Sequence, residues 1–334
     1  MTVSVKDVAA AASVSVGTVS NVLNRPDKVS PATVARVQAA IDELGFVRND
    51  AARQLRAGRS RSIGLIILDS ANPFFAEVAR GAEERAAREG MSVLLGSSDQ
   101  VPERESNYLD LFREQRVNGV LLTPTDVDAD MLRHFTDSGT PLVIVDGEMP
   151  GGRVPSVAVD DVRGGMLAVE HLLETGRRRI AYVGGPAGIR QVADRLEGAR
   201  RALARVPDAT LEVIEQGALT VLHGRDAGEQ IARRPISERP DAVFCANDLL
   251  ALGVMQGTAI LGEMRIPEDL ALIGYDDIDF AESAVVSLSS VRQPARTIGA
   301  EAVELLLESL DSSGAAIRHV RFQPELVVRA STGR

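Results

Sequence analysis

The pattern of apolar and polar positions divides the 334-residue chain into a short helical head and a long stretch of alternating strands and helices. In the head, Val5, Val8, Ala9 and Ala12 recur at helical spacing, with Ser4 and Asp7 placed to cap the start. The run Ala12-Ser13-Val14-Ser15 breaks that period. Ser15 can then cap a second, short helix whose apolar side is Val16, Val19, Val22 and Leu23. Ser30-Pro31 opens a third helix with Val34, Val37, Ile41 and Leu44 as its stripe, and Gly45 stops it. The other side of the second helix carries Gly17, Thr18, Ser20 and Asn21, small groups suited to phosphate oxygens and base edges in a major groove. Taken alone, those residues fit a plain helical hairpin equally well. The third helix completes a helix-turn-helix layout and favours DNA.

From Ser62 the pattern changes. Apolar runs at 63–68, 92–98, 118–125, 141–146, 154–160, 179–185, 211–217, 241–248 and 270–277 are separated mostly by helical segments. Such alternation predicts parallel sheets covered on both faces. Nearly every run ends in Asp, Asn, Gly or Ser, and ligands in such folds bind beyond the carboxyl ends of strands. The predicted fold class is therefore a small all-α helix-turn-helix head joined to an α/β core of two similar lobes with parallel sheets.

Charge sharpens this division. The net charge of −10 looks wrong for a DNA-binding chain. Yet the first 62 residues hold nine basic and five acidic side chains, and the remainder holds 28 basic and 42 acidic. A basic head on an acidic body suits local phosphate binding. The single cysteine, Cys245, lies in the apolar run AVFCAND, which predicts a buried thiol and leaves no disulfide or multi-cysteine metal site. No apolar run reaches membrane-spanning length and no secretory pattern opens the sequence, so a cytoplasmic protein without membrane contact is expected. The absence of a secretory pattern also argues against a transport solute-binding protein. An enzyme on a doubly wound fold is the other alternative. Its glycine-rich loop GGPAG (184–188) lacks nucleotide-binding spacing, and the four histidines, 134, 171, 223 and 319, lie apart and are expected to face solvent or cap helices. Neither catalysis nor a cofactor is expected.

The stretch from Val3 to Ile66 resembles the start of a lactose-repressor (LacI/GalR) family regulator, with turn, recognition helix, third helix and following hinge in order. The likeness continues over essentially the whole chain to PELVVRAST (324–332), with a core similar to the periplasmic sugar-binding fold. One departure is Ser13, where the family usually has glycine. The resemblance implies that Ser15, Thr18 and Ser20 position the recognition helix on phosphates, while Val16, Gly17 and Asn21 occupy base-reading positions and Asn24 lies at the helix end. It further implies that DAARQLRA (50–57) is a hinge helix folding on operator DNA, with Asn49, Ala52 and Arg56 at the DNA and Leu55 wedged into the minor groove.

By the same likeness, the effector contacts are Asn72, Phe74, Phe75 and Asp146 from the first lobe, and Arg195, Leu219, Asn247, Asp276 and Gln293 from the second lobe and its return crossing. Carboxylates and amides pair with vicinal hydroxyls, and aromatic faces cover the C–H side, so a sugar or polyol is favoured. Gly147 stands where ribose-type members carry arginine, and Leu219 where many carry an aromatic, which leaves room for a bulkier ligand. The implied organisation is a head at 1–47, a hinge at 48–61 and an effector-binding, dimerising core at 62–334. Lobe one is expected near 62–158 and 292–323, and lobe two near 159–291 and 324–334. The implied partners are a palindromic double-stranded DNA operator, a small-molecule effector and a second copy of the chain in a homodimer.

Overall fold

The computed structural model describes residues 3–46, 60–125, 139–149, 152–311 and 317–333. The chain forms two compact units, 1–59 and 60–334.

In the first unit, α1 (Val5–Ala11), α2 (Val16–Asn24) and α3 (Pro31–Leu44) enclose a small core of Val8, Ala12, Val19, Val22 and Val37. The Asp7 carboxylate accepts the Ser4 backbone N–H at 2.8 Å, and Ser15 Oγ accepts from Thr18 N at 3.0 Å, so each helix start has a side-chain partner. Gly45 ends α3 with φ of 61°, a left-handed cap open to glycine. Arg36 Nε donates to the Ala12 carbonyl at 2.9 Å and ties α3 to the turn after α1. In that turn Ser13 adopts φ of 52°, the left-handed conformation that glycine takes without cost.

The second unit contains two six-stranded sheets. One runs β2 (Ser92–Ser97), β1 (Ser62–Ile67), β3 (Val120–Leu122), β4 (Leu142–Val145), β5 (Ser156–Val159) and β11 (His319–Phe322), all parallel. The other runs β7 (Thr210–Glu215), β6 (Arg179–Gly184), β8 (Ala242–Cys245), β9 (Ala271–Asp276), β10 (Ser289–Arg292) and β12 (Glu325–Val327). Only β12 is antiparallel to its neighbour in that sheet. Both sheets repeat one order, second strand, first, third, fourth, fifth, then a strand from the chain's end. The chain passes between lobes after β5, after β10 and between β11 and β12.

Helices α4 (Pro73–Arg88) and α11 (Ala295–Asp311) cross on the first lobe. On the second lobe α6 (Asp161–Glu174) crosses α7 (Arg190–Leu203), and α8 (Val221–Ala232) crosses α9 (Asp248–Met255). Helix α5 (Pro102–Glu114) covers β1 and β2. Strands β1, β3, β4, β6, β8 and β9 are almost wholly buried, which is why their sequences read as continuous apolar runs. Cys245 lies among them, fully buried, and burial pushes its thiol well above the usual range. His171 is half-buried and bonded through Nε2 to Thr332 Oγ1 at 2.9 Å, so it joins α6 to the chain's final turn instead of facing solvent. Among the described residues no helix is long and apolar enough to cross a membrane.

Candidate functional site

The head presents one polar face. Val16, Gly17 and Asn21 are exposed on α2 while Val19 and Val22 are buried beneath them. Ser15 and Thr18 bond each other through their hydroxyls at 2.9 Å, which sets both oxygens at the helix start, where phosphate is favoured. Asn24 Nδ2 donates to the Ser20 carbonyl at 2.8 Å and lies 3.3 Å from its hydroxyl, so these two side chains form a local pair at the other end of the helix. Asn49, Ala52, Leu55 and Arg56 lie outside the described residues.

In the core, the carboxyl ends of both sheets face a cleft of about 450 Å³. Left-handed backbone at Gln100 (φ 62°), Asp146 (φ 57°) and Asp276 (φ 103°) lets the chain turn sharply off β2, β4 and β9 and leaves these side chains lining it. Asn72, Phe74, Phe75, Asp146, Arg195, Leu219, Asn247 and Asp276 all line this space. Their number and the two lobes they come from make coincidence a poor explanation.

Two expectations change in detail. Gln293 is not among the residues lining the cleft. It is buried and donates Nε2 to Asp276 Oδ1 at 2.8 Å, holding that carboxylate from behind. Phe74 and Phe75 are only 3% and 6% exposed and meet edge to face at 5.1 Å. They are part of the first lobe's core and offer the cleft an apolar edge more than open ring faces.

Arg195 is the electrostatic centre. Its Nε donates to Asp161 at 2.7 Å, Nη1 donates to the Ala246 carbonyl at 2.7 Å, and Asp276 lies 3.8 Å away. The guanidinium lies 3.6 Å from the centre of the Tyr275 ring. Burial works against its charge, but the surrounding carboxylates outweigh burial and hold it protonated. Asp276 receives donors on both oxygens, from Gln293 and from Asn72 Nδ2 at 3.2 Å, the latter bridging the lobes. Burial raises its carboxyl to about 6, against the pull of Arg195. Asp146 is pushed well above the usual carboxylate range by burial and by its neighbour Asp161.

Sequence reasoning missed Gln191 and Asp161. Gln191 stands one turn before Arg195 on the same face of α7, and donates Nε2 to the Asp146 carbonyl at 2.6 Å and its carboxylate at 3.0 Å. The spacing of four from Arg195 was the available signal. Asp161 is the residue after the strand-end Asp160 and was hidden as the second acid of a pair.

Asp276 makes a measurable prediction. The unfolded carboxyl titrates near 3.8 and the folded one near 6, so the folded state holds a proton the unfolded state has released. Its contribution to stability is therefore greatest at acid pH and is lost as pH rises through this window, by about 1 kcal/mol per pH unit. The melting temperature of the wild type relative to Asp276→Asn should fall between pH 4.5 and 6.5. A pH-independent difference would contradict the assignment.

Known proteins share both units. The sequence pattern of bacterial regulatory proteins of the lacI family matches residues 4–49, and that of a periplasmic binding protein-like domain matches residues 169–332. The HTH-type transcriptional repressor PurR of Aliivibrio fischeri (strain MJ11) is 35% identical over 332 residues, covering 98% of this chain and 97% of that protein. PurR of Vibrio atlanticus (strain LGP32) is also 35% identical, with 98% of each chain covered. Among solved structures, the lac repressor dimer bound to operator and the anti-inducer ONPF superposes with a TM-score of 0.84 at 27% identity, covering 100% of both chains. The complex of the transcriptional regulator CelR with cellobiose superposes with a TM-score of 0.71 at 32% identity, covering 98% of this chain and 99% of that one.

Proposed function

The chain belongs to the lacI family of bacterial regulatory proteins, and from that premise we propose that its cleft takes a neutral small molecule of the sugar or polyol class. It is a DNA-binding transcriptional regulator of the repressor type with an effector-binding core, not an enzyme. The observation that carries the ligand class is the supply of acceptors. Buried Asp146 Oδ1 has no hydrogen-bond partner among the described residues, and the cleft sets Asp146 and Asp276 against the single cation Arg195, two of whose nitrogens are engaged. Such a cleft favours a ligand rich in hydroxyl donors and disfavours a phosphate or carboxylate. Leu219, Ile189 and Val192 supply an apolar side for the C–H face of a ring.

In this reading a dimer binds a palindromic operator. Residues 1–47 read the major groove through Ser15, Val16, Gly17, Thr18, Ser20, Asn21 and Asn24. The hinge at 48–61 enters the minor groove with Asn49, Ala52, Leu55 and Arg56, and the core at 62–334 carries effector and dimer contacts. Val16 can only touch a thymine methyl, so direct readout is sparse and the hinge carries a larger share of specificity. Leu55→Ala is expected to weaken operator binding by about 1–3 kcal/mol while leaving ligand binding to the core intact. Equal operator affinity in variant and wild type would refute the hinge role. For the effector, a thermal-shift panel of sugars, polyols, nucleobases and sugar phosphates tests the class directly. Stabilisation by neutral hydroxylated compounds is expected. Stabilisation by nucleobases or phosphates alone would overturn it.

A further inference from the structure

Beside the cleft lies a second cavity of about 650 Å³, and the two share Asp146 and Gln191 as a common wall. That wall is one side-chain pair, Gln191 Nε2 donating to the carbonyl and carboxylate of Asp146. A rotation of Gln191 about its side chain removes the bond and joins the chambers. Each volume falls in the ~300–1,000 Å³ range of small-molecule sites.

The second chamber is open because residue 147 has no side chain. Gly147 lines it, and a Cβ built there meets nothing nearer than the Ile144 methyl at 3.7 Å. Its backbone φ lies outside the left-handed region, so glycine is not required there by conformation. A large residue at 147 would project into this free space and fill it. The walls are also distinctly acidic: Asp146, Glu148, Asp160, Asp161 and Asp194 stand against Arg190 and Arg321. Arg321 is spent on Glu148 in a two-pronged pair at 2.7 and 2.8 Å, and Asp161 is held by Arg195. What remains offers acceptors and negative charge, including the unpartnered Oδ1 of Asp146, which is 4% exposed.

We propose that the effector spans both chambers: a disaccharide-sized polyhydroxyl ligand whose first unit fills the cleft and whose second unit, neutral or cationic, occupies the acidic chamber after displacing Gln191 from Asp146. This rests on the sugar or polyol reading above. The second unit replaces the Gln191 amide with its own hydroxyl donors at Asp146, so the carboxylate keeps a partner throughout. An anionic second unit would meet the excess of carboxylates unpaired.

Two measurements on the full chain separate this proposal from the reading beneath it. The first is a thermal-shift and calorimetric comparison of glucose, xylose, maltose, cellobiose and trehalose on wild type and Gly147→Arg, with folding of the variant checked by circular dichroism. A disaccharide that binds more tightly than glucose and loses at least about tenfold affinity in Gly147→Arg supports the two-chamber site. Binding of a monosaccharide unaffected by Gly147→Arg, with every disaccharide inert, overturns it. If none of the five binds, the sugar class itself fails, and the second measurement decides whether the acidic chamber exists. Cys245 is fully buried, so Gly147→Cys provides a single reactive thiol. A cationic aminoethyl methanethiosulfonate should modify it about tenfold faster than the anionic sulfonatoethyl reagent at low salt. Equal rates would overturn the acidic chamber.

Discussion

Replacing Arg195 with alanine is expected to destabilise the core by about 3–5 kcal/mol, the usual cost of leaving buried charge without its partner. The side chain is 4% exposed and serves Asp161, the Ala246 carbonyl, Asp276 and the Tyr275 ring at once. With the guanidinium gone, Asp161 and Asp276 remain in a dry site with Asp146 beside them, and no other cation lines the cleft among the described residues. Carboxylates so placed must take up protons or draw water inward. Arg195→Lys should recover only part of the loss, because an ammonium cannot reach Asp161 and the Ala246 carbonyl in one plane or stack on the ring. Urea unfolding of the core measures both variants. A loss below about 1 kcal/mol in Arg195→Ala would show that Arg195 is a dispensable surface cation rather than the keystone of the cleft.

The second large effect is expected at Gly198. A Cβ there would stand 2.1 Å from the Val162 carbonyl, and one at Gly165 would stand 2.0 Å from the carbonyl of Arg195 itself. Helices α6 and α7 thus cross backbone to backbone through a reciprocal glycine pair, and the crossing sets how far Arg195 reaches into the cleft. The first lobe uses the same device, with Gly81 against Arg296 and Gly299 against Val78 at 2.0 and 1.9 Å. Gly198→Val must push the helices apart, at an expected cost of about 3 kcal/mol or slightly more, at the upper end for overpacking. Gly198→Ala should cost about 1–3 kcal/mol. Ligand affinity should fall with stability, because the displaced α7 carries both Gln191 and Arg195. Denaturation midpoints unchanged in both variants would contradict the close crossing.

Much of this architecture was legible because the sheets are buried on both faces. The runs at 63–68, 179–185, 241–248 and 270–277 read as strands directly, and each strand occupies most of its run. Strand β10 was not legible. Its sequence is SSVR, and Ser289 and Ser290 are fully buried with hydroxyls bonded to Thr332 at 2.8 Å and Asp248 at 2.7 Å. A buried strand built from satisfied serines carries no apolar signal. The antiparallel β12 was hidden for a different reason: its pairing with β10 depends on chain crossings that no local pattern encodes. At the cleft, strand-end acids such as Asp146 and Asp276 stood out because strand ends collect ligands. Gln293 was placed one layer too far forward, since family likeness names a residue near the ligand without saying which neighbour it touches. Gln191 and Asp161 escaped because they sit on helices that only the tertiary structure brings to Asp146 and Arg195.

The head was legible in another sense. The capping residues and the three apolar stripes are local features, and the polar face of α2 follows from them. Ser13 shows where local rules bend, since a serine holds the left-handed turn conformation at φ of 52°. The cost of about 1 kcal/mol is tolerable in a unit closed by the Arg36 link to Ala12.

The most direct test of a sequence-specific regulator is selection of bound sequences from random double-stranded DNA by the purified full-length protein. The account predicts enrichment of an inverted repeat with a constant central step, reflecting two heads and paired hinges on one operator. No enriched sequence, with or without a stabilising ligand from the thermal-shift panel, would contradict it.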